Sequence, residues 1–489
     1  MLPRPPPEPT LLGRLSLPVI VLLSLLGYGL IALWFPLVSH IAQAPPGDIR
    51  SFAPTLPGGI VYALLVTGLF TLLVPAFRRV ERNGAGSRPL FSILAGSFLL
   101  ALPLLFTYPI NATDIFRYVI RGRIASVYGQ SPFAVPAANF TNDPFISLAG
   151  EWAGETSPYG PIWELVASVI TAISGDNLLA GVLLFKLLAL ICFLATSALL
   201  WSLLPEGRSR AAYTLLWAWN PALLLIMVVD GHNDALMILW LMLGYRLTQR
   251  GRATTGFLVM SLAALTKPIA VLALPFFFVD IYRQKSPDRH RSLLMTGIGV
   301  LLLTWLAFLP WAESGNSLQT TLDLASRLVR EATGGAAFSP AVWVYMALGQ
   351  NVAIGTIGTI TQGIFTAAAL WLFWLAIRGR SALRGVADTF YAYIVTALNF
   401  RLWYAAWPFP WLLLDAGNQT STTAAYRLRA GLWFLLTSQL SVIFYGHIRI
   451  HLLGGEHSVT HLIAVPLVFI LPWLLARLPF RVSGDEDRV

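Results

Sequence analysis

Fourteen apolar runs, most of them near the length of a membrane-crossing helix, recur along this chain. They fall at about 17–38, 57–77, 89–109, 179–204, 211–229, 234–248, 254–267, 269–282, 292–311, 352–377, 386–400, 404–417, 430–447 and 459–477. A hydrocarbon core is spanned by about 20 apolar residues in helical form. Inside lipid the backbone must satisfy its own hydrogen bonds, so the spanning part reads as all-α, with about 14 transmembrane helices. Composition agrees. Only 11% of residues are charged and 56% are hydrophobic, against about 25% charged in a soluble domain. The 17 Trp suit a chain with two membrane–water interfaces. A further apolar helix at 160–174 reads as a half-helix or one lying along the interface.

The basic residues set the orientation. With the N-terminus in the cytoplasm, 23 of the 33 Lys and Arg fall on inward-facing segments: Arg4, Arg14, 78–88, Arg208, Arg210, 246–252, 283–291, 378–384, Arg427, Arg429 and the tail. That is the positive-inside bias. The net charge of +10 is spread over short clusters between apolar runs. This argues against nucleic acid as a partner and for membrane lipids. The expected organisation is a disordered, Pro-rich cytoplasmic start at 1–16, one membrane domain at 17–478 and a cytoplasmic tail at 479–489. Two long external loops, 110–160 and 312–338, are where chemistry is expected. Ala42-Gln43-Ala44 resembles a signal-peptidase site, but the preceding run is longer than a signal core, so the first helix is read as retained. Cys192 stands alone in an apolar run, which excludes an internal disulfide and suits a buried, inert thiol.

The first external loop is the densest in polar residues. Thr113 reads as a helix cap and Asp114 to Tyr128 as a short amphipathic helix. Spacings of three, four and seven then put Asp114, Arg117, Tyr118 and Arg121 on one face. A carboxylate beside guanidiniums stays ionised and can accept a proton, while the guanidiniums can hold a phosphate by forked hydrogen bonds. A cap with lipid-headgroup contacts explains the same residues equally well. Ser157-Pro158-Tyr159-Gly160-Pro161 fixes a rigid turn before a helix, and Tyr159 is placed to line a sugar pocket.

Asp230-Gly231-His232-Asn233-Asp234 lies where two runs meet on the outer side. His232, Asn233 and Asp234 are candidates for sugar or acceptor binding, since such groups at membrane depth are costly unless paired or functional. No metal site is expected from them. Lys267-Pro268 interrupts an apolar stretch at its outer end, where an ammonium suits a lipid phosphate or snorkels to the interface. Arg401, Trp403, Tyr404 and Trp407 cluster at another outer end, as interface anchors or as a stacking surface for sugar or isoprenoid. His447, His451, His457 and His461 lack tight metal-ligand spacing and read as exposed or interfacial. No Walker loop, dinucleotide fingerprint or paired-Cys spacing is present.

Asp114 after the third run, Gly122, Gly129-Gln130-Ser131-Pro132-Phe133 and the Ser157–Pro161 turn together resemble the membrane-embedded GT-C glycosyltransferases. Within them the chain is most similar to polyprenyl-phosphate-mannose-dependent α-1,6-mannosyltransferases that build lipomannan in actinobacteria. Asn220-Pro221, Gly231 to Met237, Lys267-Pro268 and Trp403-Tyr404 with Trp407-Pro408 extend the likeness over about 90–410. Phe116 and Ser131-Pro132-Phe133 depart from the family's Tyr and Asp-Pro-Tyr, which bears on the sugar and the acceptor. The resemblance implies a GT-C fold and no cofactor beyond a polyprenyl-phosphate sugar donor. It also implies a glycolipid or glycan acceptor outside the cytoplasm, inversion at the sugar, and Asp114 as base. Arg117, Tyr118, Arg121, Lys267 and Arg401 would hold the donor phosphate. Tyr159, His232, Asn233, Asp234, Trp403 and Tyr404 would hold sugar or acceptor. Arabinofuranose or glucose is a nearby alternative to mannose. A transporter or flippase explains the helices too, but predicts internal repeats that are not seen. A sequon at Asn111 would place a glycan three residues from Asp114, which favours a bacterial plasma membrane.

Overall fold

The structure is a computed structural model that describes residues 15–43, 46–283, 289–312, 337–419 and 421–478, with isolated positions 319, 322 and 326. The expected N-terminal segment, the tail and most of the 312–338 loop lie outside the described residues. Among the described residues there is no strand, only an isolated bridge between Pro36 and Thr107. There Tyr108 N–H donates to Phe35 O at 2.7 Å and Leu37 N–H to Phe106 O at 2.8 Å, joining the outer ends of two helices.

Among the described residues seven helices are long and apolar enough to cross a membrane: Leu17–Trp34, Leu56–Asn83, Leu178–Leu203, His290–Trp311, Ile354–Ile377, Thr422–Leu452 and His457–Leu475. Ser209–Ala218 and Pro221–Val229, bent by 41° at their junction, make an eighth if they form one span. Seven or eight helices by length and composition thus support a polytopic membrane protein but do not confirm the expected count of about 14. The other runs do form helices, but short ones, such as Ala253–Thr266 with 14 residues and Phe409–Asn418 with 10. A 14-residue helix rises about 21 Å, short of a core about 30 Å thick. Prolines account for the breaks. Pro221 and Pro268 each lack the N–H that would continue the preceding helix, and Pro408 precedes the Phe409–Asn418 helix. The Pro161–Ser174 helix is likewise 14 residues long, too short to cross alone.

The burial pattern is that of a lipid-facing bundle. On the first helix Leu22, Leu26, Leu30 and Leu33 are exposed, whereas Ile20, Ser24, Tyr28 and Ile31 are buried. The outward stripe is wholly apolar and mostly leucine, and the inward one carries the hydroxyls, the reverse of a soluble helix. Cationic ends gather at one pole. Arg380 and Arg427 both pair with Asp388, and Arg384 Nε lies 3.0 Å from Asp415. Arg429 donates to Ala476 O at 2.9 Å. The Ala382–Thr396 and Thr422–Ile443 helices begin at that pole and run to a cavity lined by Tyr393, Ser441 and Val442.

Two glycines set how closely the outer segments pack. A Cβ on Gly160 would fall on the backbone oxygen of Leu265, and one on Gly122 on that of Ala167. Neither obstacle is a side chain that can rotate away. Gly154 has open space around it. Gly122→Ala and Gly160→Ala should each destabilise the protein by about 2 kcal/mol or more, with Gly154→Ala within about 0.5 kcal/mol of wild type. Thermal unfolding of the purified proteins in detergent checks this.

Candidate functional site

Asp114 begins the Asp114–Ser126 helix, two residues shorter than the spacing predicted. Thr113 occupies the cap position without a capping bond; its hydroxyl instead accepts from Arg117 Nη2 at 3.4 Å. Asp114 is 8% exposed. The Tyr159 hydroxyl donates to its Oδ1 at 2.8 Å, and Arg117 Nη1 lies 3.5 Å from the same oxygen. Burial pushes the Asp114 carboxyl up, but Arg117, His232, the Tyr159 hydrogen bond and Lys267 outweigh it and hold it down to about 2. The group is therefore an anion throughout the neutral range.

The rest of the helix is pinned from beneath. Arg123 pairs with Asp143 and Asp176, each at 2.9 Å, and Tyr128 donates to Asp143 at 2.8 Å. These contacts fasten the loop after the helix to its underside. Arg117 lies over the Trp152 ring at 5.0 Å and Arg121 over the Tyr159 ring at 5.6 Å, so two aromatic faces aim the two guanidiniums.

The face drawn from spacing alone divides in three dimensions. Asp114, Arg117 and Arg121 line a cavity of about 790 Å³. Tyr118 does not line it. Its ring is packed against Tyr159, Trp163 and Phe185, with centroids at 5.3, 4.7 and 5.7 Å. It supports Tyr159 from behind and is not placed to touch a phosphate. Lys267, Arg401, Trp403, Tyr404 and Tyr159 line the same cavity, as do Trp152 and Tyr445.

His232, Asn233 and Asp234 sit beneath the cavity wall, all buried. Asp234 is a shared anchor. Lys267 Nζ donates to it at 2.7 Å, the Trp407 indole N–H also donates, and His232 Nδ1 lies 3.3 Å away. His232 stacks on Trp403 at 4.1 Å. None of the three lines the cavity, whereas Lys267, held by Asp234, and Trp403, packed against His232, both do. Asp230 accepts Asn111 N–H at 3.2 Å, and Gly231 takes a positive φ of 62° against Ile115. The buried Lys186 ammonium donates to Leu104 O at 3.3 Å and to Thr107 O. Together these fix the strand of backbone that leads into Asp114.

The histidines expected at the last external loop differ from one another. His447 and His461 are buried, and His447 Nε2 lies 2.6 Å from Ala53 O. His451 Nε2 meets Pro54 O at 2.7 Å, and His457 meets the Tyr445 hydroxyl at 3.0 Å. His461 Nε2 lies 3.4 Å from Ala337 O, so all four tie a helix to another segment. Among the described residues no group of three or more His, Cys, Asp or Glu is placed to hold a metal ion.

Sequence reasoning missed Asp48, Arg50, Trp152 and Tyr445 at the cavity. Asp48 and Arg50 form a local pair, with Arg50 Nε 2.9 Å from Asp48 Oδ2. Nothing in their immediate sequence points to a site nearly 400 residues away at Tyr445. Trp152 carried one available signal, an aromatic between two glutamates in a long external loop.

The arrangement is an ionised carboxylate paired with Arg117 in a cavity that Arg121, Lys267 and Arg401 also line, with aromatic walls. It is suited to holding an anion next to a group that can take up a proton.

The chain is 28% identical over 365 residues to alpha-(1->6)-mannopyranosyltransferase A of Mycobacterium tuberculosis, covering 71% of this chain and 69% of that protein. It is 22% identical over 430 residues to alpha-(1->6)-mannopyranosyltransferase A of Corynebacterium glutamicum, covering 81% and 83%. Alpha-(1->6)-mannopyranosyltransferase B of Corynebacterium glutamicum is 24% identical over 389 residues, covering 71% and 63%. No solved structure matches the chain. Residues 19–283, more than half of the chain and the part that carries Asp114, Tyr159, Asp234 and Lys267, match the model of the alpha-(1->6)-mannopyranosyltransferase N-terminal domain, and the chain belongs to that family.

Proposed function

We propose that this chain is a GT-C mannosyltransferase of the bacterial plasma membrane. It moves mannose from a polyprenyl-phosphate donor to a glycan or glycolipid acceptor on the extracytoplasmic side. The observation that carries the reading is the Asp114 carboxylate, buried beside Arg117 and opening onto a cavity that also holds Lys267, Arg121 and Arg401. The activity for which the family is named supports mannose.

The donor is a phosphodiester with a long apolar tail. Its phosphate matches the cations, and its tail matches the apolar part of the wall, including Phe338, Phe400 and Val442. The acceptor hydroxyl attacks the anomeric carbon from the face opposite the phosphate, the C–O bond to phosphate breaks, and the configuration inverts. Asp114 takes the hydroxyl proton. The polyprenyl phosphate leaves with added negative charge, which Arg117, Arg121 and Lys267 stabilise where it develops.

Helix polarity supports the extracytoplasmic side. The Thr422–Ile443 helix carries Arg427 and Arg429 near its start and Ser441 at the cavity. The Ala382–Thr396 helix carries Arg384 near its start and Tyr393 at the cavity. Arg252 precedes the helix that ends at Lys267. Basic ends face the cytoplasm, so this polarity supports an external cavity.

Asp114→Asn should lower kcat for mannosyl transfer from polyprenyl-phosphate mannose by about 10²–10⁴-fold. Transfer at near wild-type rate by the folded variant would remove Asp114 from the mechanism. Arg117→Gln should act in two ways. Loss of one charged donor should cut kcat/KM for the donor by about 10²-fold. It should also release the Asp114 carboxyl upward from about 2. A base is lost as pH falls through its pKa, so the acid limb of kcat/KM should move to higher pH in the variant. Parallel pH–rate profiles from pH 4 upward check the direction.

A further inference from the structure

Glu164 lies in the first turn of the Pro161–Ser174 helix and is 1% exposed. A buried carboxylate is costly unless its oxygens are used. One oxygen accepts the Ser157 hydroxyl; the other has no hydrogen-bond partner among the described residues. The cation facing it is Arg121, which also lies over the Tyr159 ring. Glu164 does not line the cavity, so the proposed reaction gives it no direct part.

What it does hold is the turn. The Ser157 oxygen that donates to Glu164 also accepts Tyr159 N–H at 3.1 Å. Ser157 N–H donates to Pro132 O at 2.8 Å, and Gly160 N–H donates to Thr266 O at 3.0 Å, so the turn is tied at both ends. Pro158 and Pro161 fix two of its φ angles. From this turn the Tyr159 side chain reaches across to donate to Asp114 at 2.8 Å. A continuous path therefore runs from Glu164 through Ser157 and the Tyr159 backbone to the Asp114 carboxylate.

We propose that Glu164 is a positioning residue: by fixing Ser157, it sets the turn that brings the Tyr159 hydroxyl onto Asp114. The inference rests on Asp114 being the base in the reading above. In that reading Tyr159 orients the carboxylate oxygen that must face the acceptor hydroxyl. The device acts by hydrogen bonding, so an amide oxygen at position 164 serves as well as a carboxylate.

The test uses the full-length enzyme in detergent with polyprenyl-phosphate mannose and compares Ser157→Ala, Glu164→Ala, Glu164→Gln, Tyr159→Phe and the Ser157→Ala/Tyr159→Phe double variant. Ser157→Ala and Glu164→Ala should lower kcat about tenfold, with donor KM within about twofold in Ser157→Ala, which keeps every charged group facing the donor. Glu164→Gln should stay within about twofold of wild-type kcat. The double variant should be no slower than Tyr159→Phe alone, since Ser157 acts through Tyr159. Wild-type kcat in Ser157→Ala overturns the proposal. So does a Glu164→Gln variant as slow as Glu164→Ala, or a double variant that multiplies the two single losses. If Glu164→Ala does not fold, Ser157→Ala and the double variant decide the matter. The cycle compares rates within whatever sugar transfer the wild type performs. Its failure is therefore distinct from an active Asp114→Asn, which would defeat the functional reading itself.

Discussion

Two buried aspartates, each beside a cation at the edge of a cavity, are the constraint on which this end of the bundle is built. Asp114 sits against Arg117, and Asp234 holds Lys267 at 2.7 Å. A charge taken out of water must be paired and hydrogen-bonded, and removing one partner costs about 3–5 kcal/mol because the other is left uncompensated. The local backbone answers to this requirement. The Ala253–Thr266 helix stops where Lys267 adopts an extended conformation, and Pro268 prevents it from resuming in register. The break places the ammonium between Asp234 and the cavity. The Trp407 indole completes the carboxylate's shell, so a proline break in one segment and a tryptophan 140 residues later serve the same anion.

Helices were legible because apolar length and proline punctuation are local signals. Each apolar run does contain a helix, and the Asp114 helix begins where its pattern said. Helix length was less legible, because summed hydropathy measures apolar area and not the path of the chain. The 254–282 stretch reads as two crossings, yet it is a 14-residue helix, a six-residue 3-10 turn and a 10-residue helix in sequence. Such broken helices at membrane depth survive where other protein segments, not lipid, surround the freed backbone groups. Gly160 N–H donating to Thr266 O is one such rescue.

The site divides along the same line. Asp114, Arg117 and Arg121 could be grouped from spacing, since a helix puts residues three and seven apart on one face. Tyr118 fits that spacing equally well and still points inward, because the aromatic groups that capture it, Trp163 and Phe185, come from segments 45 and 67 residues away. Asp234 could be recognised as unusual but not as a counterion, since its cation is 33 positions distant. Family resemblance narrowed the choice of chemistry, whereas the division between residues that touch the cavity and residues that brace them came only from the packing.

A carboxyl held near 2 is a weak base for a sugar hydroxyl, and the geometry bears on that tension. Two of the cations that depress Asp114, Arg117 and Lys267, are also proposed to receive the donor phosphate. When a phosphodiester pairs with Arg117 and Lys267, their field at Asp114 is partly neutralised and a second anion is brought close. Both changes raise the carboxyl's proton affinity. As the polyprenyl phosphate leaves and its charge grows, the cations turn further toward it and the carboxylate gains basicity at the moment the attacking hydroxyl becomes acidic. In the proposed reaction the cations thus serve both partners in turn. They keep Asp114 ionised and ordered in the empty cavity, and then yield it to the proton once donor is bound. A base so arranged is protected from premature protonation by bulk water and is activated by its own substrate.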